Sequence, residues 1–348
     1  MVELGLYDMW QVVGQNKTVS LIKHSLEKKI LAHAYIFVGP AHVGKKTLAF
    51  NLAQAVNCEA YEPPCGECLS CQKIASEKHA DVQIIGVTTN VDTNDTKVRT
   101  EISIDQIRQI QHSASFPPFE GKFKVFIIDG AELLSMEAAN SLHKTLEEPL
   151  DKIIFILLTT DDKLLPATVV SRCQRLELLP VAVAEIEAAL NNHQDIEPQR
   201  AKLIARLSHG RMGWALMTAL DDEMLKQYNE KMQKIINIIN ADYEERFAYA
   251  AELAVHFNQR RELVQELLDL WIDWWRDLLL AKIGCKESIT NIDLEEMLIK
   301  SAQDYRLEEI RTFINSIQET KEQLGKNVNP QLALEVLMFS IPEREENF

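Results

Sequence analysis

Ala34-Tyr35-Ile36-Phe37-Val38 runs without a break into Gly39-Pro40-Ala41-His42-Val43-Gly44-Lys45-Lys46-Thr47, and that stretch into Leu48-Ala49-Phe50-Asn51-Leu52. The first five residues are apolar, with aromatic and β-branched side chains, and read as a buried strand; residues 46–56 carry a helical pattern. Between them lies the G-x-x-x-x-G-K signature of a phosphate-binding (Walker A) loop, in the strand–loop–helix setting that gives it physical meaning. Backbone N–H groups from Gly39 to Gly44 wrap the phosphates, the helix N-terminus favours an anion, and Lys45 reaches the outer phosphates. The position after the lysine should carry a hydroxyl for Mg²⁺, and Lys46 stands there instead. Thr47 is one residue further on, rotated by about 100° around the helix. The cradle persists while the metal ligand is displaced, so binding of ATP or ADP stays open, with survival of the loop as a mere turn as the bland alternative.

Two further apolar runs flank this unit. Lys124-Val125-Phe126-Ile127-Ile128 and Ile153-Ile154-Phe155-Ile156-Leu157-Leu158 read as buried strands, and Ser135–Glu148 as an intervening helix. Strands alternating with helices predict a parallel sheet covered on both faces, an α/β nucleotide-binding architecture. The second strand ends in Asp129-Gly130-Ala131-Glu132. An acidic residue there, beside a phosphate loop, is the expected metal-binding carboxylate, with a strand-end or helix-capping role as the bland alternative. Motor ATPases follow it with a glutamate that polarises the attacking water. Gly130 can do no such work, and Glu132 is expected to lie too far along the turn to replace it. Asn90–Thr100 is polar and reads as a mobile surface loop.

Pro180 marks a change of texture. Four of the twelve glycines lie beyond Gly130, and no proline falls between Pro198 and Pro330. Helix formers accumulate while punctuation disappears, which predicts an all-α remainder. The expected division is 1–180, a small helical segment at 181–217, and a larger helical domain at 218–348. Within the last, Trp271, Trp274 and Trp275 share a helix face with Leu278 and Leu279, as a buried core or a helix–helix interface.

The net charge is −15, and from residue 216 onward 26 Asp and Glu face 15 Lys and Arg. Phosphate backbones would be repelled from such a region, so protein partners are favoured there over direct DNA binding. Residues 1–14 lack the basic-then-apolar order of a signal peptide, and no apolar run reaches the length of a membrane span. The expectation is a cytoplasmic protein, where disulfides are disfavoured. Of the six cysteines, Cys58, Cys65, Cys68 and Cys71 form C-x6-C-x2-C-x2-C, with Pro63, Pro64 and Gly66 supplying turns. Four thiolates so spaced can close on Zn²⁺ or hold an iron–sulfur cluster. Cys173 and Cys285 stand alone and are expected to be buried.

Several segments together resemble the AAA+ clamp-loader family: Trp10-Gln11-Val12-Val13-Gly14-Gln15, His33–Phe37, the loop 39–47, Asn140-Ser141-Leu142-His143-Lys144-Thr145-Leu146-Glu147-Glu148-Pro149, and Leu165-Pro166-Ala167-Thr168-Val169-Val170-Ser171-Arg172-Cys173. They cover the first half densely and in order. The resemblance implies a P-loop AAA+ domain, a helical lid and a helical collar domain. It implies structural zinc on the four cysteines, and it implies that Arg172 of Ser171-Arg172-Cys173 reaches the γ-phosphate held by an adjacent subunit. The nucleotide site would comprise Gly39, Gly44, Lys45, Lys46, Thr47 and Asp129, with Thr159 and Thr160 in the region of the polar sensor. The lid arginine of active members falls at Gly213 in Gly210-Arg211-Met212-Gly213-Trp214-Ala215-Leu216, and Arg211 points elsewhere. With Lys46 and Gly130 this makes three departures from a motor, and implies a member without ATPase activity of its own. Its partners would be the gamma/tau and delta subunits in a DNA polymerase III holoenzyme, with the sliding clamp and primed DNA met through the complex.

The rival readings are an active gamma/tau-type motor, opposed by Lys46 and Gly130; a P-loop nucleotide kinase, which leaves Ser171–Cys173, the cysteines and the helical tail unexplained; and a zinc-bearing DNA-binding protein, opposed by the acidic balance.

Overall fold

The computed structural model describes residues 10–87, 101–148, 151–192, 196–326 and 328–343. The whole Asn90–Thr100 stretch expected as a loop and Pro149 of the 140–149 segment lie outside the described residues. The chain divides by compactness into two units, Met1–Ile196 with Ser208–Leu216 and Glu197–Leu207 with Met217–Phe348.

The first unit is built on five parallel strands: β1 (Ala34–Val38), β2 (Val82–Ile85), β3 (Lys124–Asp129), β4 (Ile153–Thr159) and β5 (Gln174–Glu177), in the order β2-β3-β4-β1-β5. Its helices are α1 (Asn16–Glu27), α2 (Lys45–Asn57), α3 (Leu69–Ala75), α4 (Ile104–Ala114), α5 (Met136–Glu147), α6 (Ala167–Val170) and α7 (Val183–Asn191). Successive side chains of a strand point to opposite faces, and both faces are apolar here. Tyr35, Phe37, Val125, Ile127, Ile154, Ile156 and Leu158 pack with Val19 and Ile22 of α1 and Leu48 and Leu52 of α2. Ala34, Ile36, Phe126, Ile128, Phe155 and Leu157 pack with Ile107 and Ile110 of α4 and Leu142 and Leu146 of α5. Each such side chain, fully buried, contributes about 1.5–3 kcal/mol, which fixes the sheet as the rigid floor of the site. Helix starts follow local chemistry: the Ser135 hydroxyl accepts from the Ala138 N–H at 3.2 Å to open α5, and Ser103 forms a capping box with Gln106 to open α4.

The α/β architecture and strands β1, β3 and β4 match the sequence reading. Strands β2 and β5 carried no such signal, since each is four residues long and β5 buries only Leu176.

The second unit is helical: α8 (Pro198–Leu207), the end of α9 (Met212–Leu220), α10 (Asp222–Ile239), α11 (Tyr243–Gln259), α12 (Arg261–Lys282), α13 (Glu295–Ser301), α14 (Leu307–Leu324) and α15 (Pro330–Phe339). The tryptophans of α12 form its core. Trp275 meets the rings of Phe313 and Tyr305 edge-on with centroids 4.8 and 5.2 Å apart, and Trp271 meets Phe313 at 6.1 Å. Asp277 is fully buried one helical turn on, and its carboxylate accepts from the Thr290 and Asn291 N–H groups and from the Asn291 side chain at 2.8–2.9 Å. Those bonds tie the loop after α12 to the helix. Cys285, expected to be buried, is exposed on that loop. Cys173 is half-buried against the sheet, and burial pushes its thiol up to about 12. Among the described residues no helix is long and apolar enough to cross a membrane.

Candidate functional site

The site forms where β1, β3 and β4 end. Parallel pairing sets Val38 opposite Thr159 and Asp129 opposite Leu158, so the phosphate loop, Asp129 and Thr160 emerge at one level of the sheet. Ligands of open α/β sheets bind at these carboxyl ends. The loop's first glycine is required by contact: the Gly39 N–H donates to the Thr159 carbonyl at 3.2 Å, and a Cβ at Gly39 would lie 2.3 Å from the Leu178 carbonyl oxygen. Gly44 opens α2 with φ of +108°, a left-handed conformation that favours glycine.

Lys45 folds back over the loop, its Nζ donating to the carbonyls of Gly39 and Pro40. Burial holds its pKa below the usual lysine value, with Glu132 and then Asp129 acting in the opposite direction. Lys46, in the position of the Mg²⁺ ligand, points away. Its Nζ lies 3.3 Å from Glu77 Oε1 and over the Phe50 ring. Gly213, in the position of the lid arginine, touches the loop with its backbone: its N–H donates to the His42 carbonyl at 2.8 Å, and a Cβ would lie 2.9 Å from that oxygen. Close approach of α9 to the loop therefore depends on the missing side chain. Arg211 turns elsewhere, donating from Nε to the Ser208 carbonyl and lying against the Trp214 ring.

Glu132 comes back toward the sheet. A 3-10 turn at Ala131–Leu133 brings it back to the end of β4, where Oε1 accepts from the Thr160 N–H at 3.2 Å and the Thr160 hydroxyl at 2.8 Å. The turn begins at Gly130 with φ of +77°. Spacing alone could not reveal this, because the strand alternation stops at Asp129. Thr159 is buried and its hydroxyl donates to the Asp161 carbonyl, so of the two threonines only Thr160 engages Glu132.

Arg172 lies just beyond α6, away from these groups. Its Nη2 donates to Glu147 Oε1 at 2.5 Å, and Nη1 lies 3.3 Å from the Thr168 carbonyl and the Ser171 hydroxyl.

The sulfurs of Cys58, Cys65, Cys68 and Cys71 lie within 4.8 Å of one another and could hold a metal ion. Cys58 ends α2, while Cys68 caps α3 and Cys71 sits within it. The donor set fits a tetrahedral thiolate site. Its sulfurs already accept backbone hydrogen bonds, from Ala60 and Cys65 to Cys58 and from Cys68 to Cys65, at 3.2–3.4 Å. Burial raises the Cys71 and Cys58 thiols; for Cys68 burial is outweighed by backbone hydrogen bonds at Glu59 and Cys71, which hold it at about 7. The cluster is anchored to the sheet. The Gln54 side chain donates to the Cys71 carbonyl, and Asn57 Oδ1 accepts from the Lys122 and Phe123 N–H groups. The Asp81 carboxylate accepts from the N–H groups of Phe119, Glu120 and Gly121 at 2.7–2.8 Å.

Comparison with known proteins gives two family matches, one described as DNA polymerase III, delta subunit, over residues 14–182, and one as DNA polymerase III, delta subunit, C terminal, over 222–343. The delta-prime subunit of DNA polymerase III from Bacillus subtilis is 28% identical over 94% of this chain and 96% of its own length. The tau subunit from the same organism is 27% identical over 95% of this chain, which spans only 60% of that longer protein. Among solved structures, a DNA polymerase III gamma subunit-related protein of Thermotoga maritima aligns over 94% of this chain and 99% of that one, at 19% identity and a TM-score of 0.38.

Proposed function

Since the chain belongs to the clamp-loader subunit family of DNA polymerase III, we propose that within it the chain serves as a delta-prime subunit, a non-hydrolysing AAA+ partner that lends Arg172 to the ATP site of a neighbouring motor. The observation that carries this reading is the pairing of a disabled site with an intact finger. Gly130 offers no base, Lys46 carries no oxygen for Mg²⁺, and Gly213 has no side chain to read a γ-phosphate. Arg172, by contrast, is a third exposed and held by surface contacts alone. A guanidinium facing a phosphoryl group in transfer neutralises charge that spreads over its oxygens.

In this reading the four cysteines hold structural zinc. Residues 1–180 form the AAA+ domain, 181–217 its lid, and 218–348 the collar through which the subunit joins gamma/tau and delta in the cytoplasm. The assembly opens the sliding clamp and sets it on primed DNA for the polymerase holoenzyme. A gamma/tau-type motor is the second reading, favoured by the retained Lys45 and Asp129 and by the similarity to tau. The two separate in one assay. The isolated chain should release no phosphate from ATP above background, while the complex rebuilt with gamma/tau and delta should do so in a manner that depends on Arg172. Robust turnover by the isolated chain, abolished by Lys45→Ala, would establish the motor reading instead.

A further inference from the structure

One side chain bonds the first residues of the phosphate loop, and two more meet at the strand end beside it. The Lys45 ammonium rests on the carbonyls of Gly39 and Pro40. The Gly39 N–H bonds to the Thr159 carbonyl, which sets Thr160 immediately beside the loop. Thr160 in turn grips Glu132 through both its N–H and its hydroxyl. The other oxygen of that carboxylate, Oε2, is buried and takes no hydrogen bond among the described residues. Glu132 also acts on Lys45 more strongly than Asp129 does. The lysine of a phosphate loop reaches the β- and γ-phosphates. Glu132 is held at the end of β4, on the residue next to the carbonyl that bonds the Gly39 N–H and within the field of Lys45, so its charge bears on any phosphate that the lysine reaches.

We propose that Glu132 sets the phosphate loop to accept a nucleoside diphosphate and to reject the triphosphate. This deepens the reading of the loop as a phosphate cradle and is independent of the role given to Arg172. The inner phosphates are served by backbone N–H groups of the loop and by the N-terminus of α2. A third phosphate brings further negative charge against a carboxylate that two donors hold in place, in a partly buried site where like charges repel far more than in water. Groups that normally offset that charge are replaced: the hydroxyl that holds Mg²⁺ by Lys46, which faces Glu77, and the arginine by Gly213, whose N–H is bonded to His42. The defects at the two ends of the loop therefore share one consequence, a cradle that is usable for its inner half.

The test is equilibrium binding of ADP and of ATP to the full chain, each with Mg²⁺ and with EDTA. ADP is expected to bind about tenfold or more tighter than ATP. Glu132→Gln keeps the shape and removes the charge, and should close most of that gap by strengthening ATP binding with little change for ADP. Thr160→Val removes one of the two donors that fix the carboxylate and should narrow the gap in part; Lys45→Ala should weaken both nucleotides. Equal or tighter binding of ATP by the unaltered chain overturns the proposal, as does a gap unchanged by Glu132→Gln, or absence of ADP binding at millimolar concentration. ATP turnover lost on Glu132→Gln would make the residue a base and overturn it too. Should Glu132→Gln fail to fold, the unaltered chain and Thr160→Val still decide. Assembly and Arg172 play no part in these measurements, so a failed trans role for Arg172 and a failed diphosphate preference would be told apart.

Discussion

Arg172 Nη2 meets Glu147 Oε1 at 2.5 Å, joining the end of α6 to the end of α5 with the two side chains 34% and 43% exposed. His143 Nε2 approaches the same carboxylate oxygen at 3.5 Å. A pair this exposed is worth about 0.2–1 kcal/mol, little enough for Arg172 to leave Glu147, as the proposed role in trans requires.

Arg172→Ala should leave the subunit folded and incorporated. In the rebuilt complex it should lower the rate of the one site it faces by roughly a thousandfold. The fall in total ATPase is partial if the other motor sites fire independently, and larger if they act in concert. Arg172→Lys should not rescue it, because an ammonium lacks the planar fork of donors. Clamp loading at the unaltered rate by the Arg172→Ala complex would end the assignment.

Restoring the missing glutamate alone should not restore hydrolysis. Gly130 has φ of +77°, and a Cβ there lies 3.3 Å from Leu133 Cδ1. Gly130→Glu is expected to cost about 1–3 kcal/mol in stability while phosphate release stays at background, since Lys46 and Gly213 are unchanged. A gain of steady turnover in the single variant would show that those two positions matter less than their geometry implies.

Metal analysis of protein purified without chelator should find one zinc per chain, and Cys68→Ser should lower both the zinc content and the melting temperature. Structural zinc contributes directly to folding free energy. Less than a tenth of a zinc per chain, with four thiols titrating freely, would remove the site.

Asp81 offers a pH test of the anchor beside the cysteines. Burial opposes its charge, but the N–H groups of Phe119, Gly121 and Glu120 outweigh that and hold its pKa below the usual carboxylate range. A depressed folded pKa gives stability that is present above the unfolded value, about 3.9, and lost as the pH falls through the folded one. Asp81→Asn should therefore cost about 1.5–3 kcal/mol at pH 7. The difference from the unaltered chain should shrink as denaturation is measured below pH 4; a difference constant from pH 7 to pH 3 would contradict the role of the charge.

What could be read beforehand depended on whether burial or geometry carried the signal. Strands β1, β3 and β4 are covered on both faces, so each leaves an unbroken apolar run, and the cysteine spacing survives as plain text. Strand β5 shows only Leu176 to the core and looks like a polar connection. The 3-10 turn that returns Glu132 to Thr160 depends on a left-handed Gly130, and the contact of Gly213 with His42 joins residues 171 positions apart. Neither leaves a periodicity. Residue type alone predicts a buried Cys285, whereas its position after Gly284, where the helix has ended, decides its exposure.

The crowding of Trp271, Trp274 and Trp275 into the core of the helical unit has a spectroscopic consequence. Three of the five indoles in the chain sit on that single stretch of α12, and the rings of Tyr249, Tyr305 and Phe313 surround them. Intrinsic fluorescence will thus be weighted toward one unit and will follow its melting. The unit holding the phosphate loop and the cysteines contributes Trp10 and Trp214 alone. A chelator that loosened the cysteine cluster could leave the emission spectrum nearly still while far-ultraviolet circular dichroism fell, so the two signals, recorded together, would show whether a metal sustains that unit.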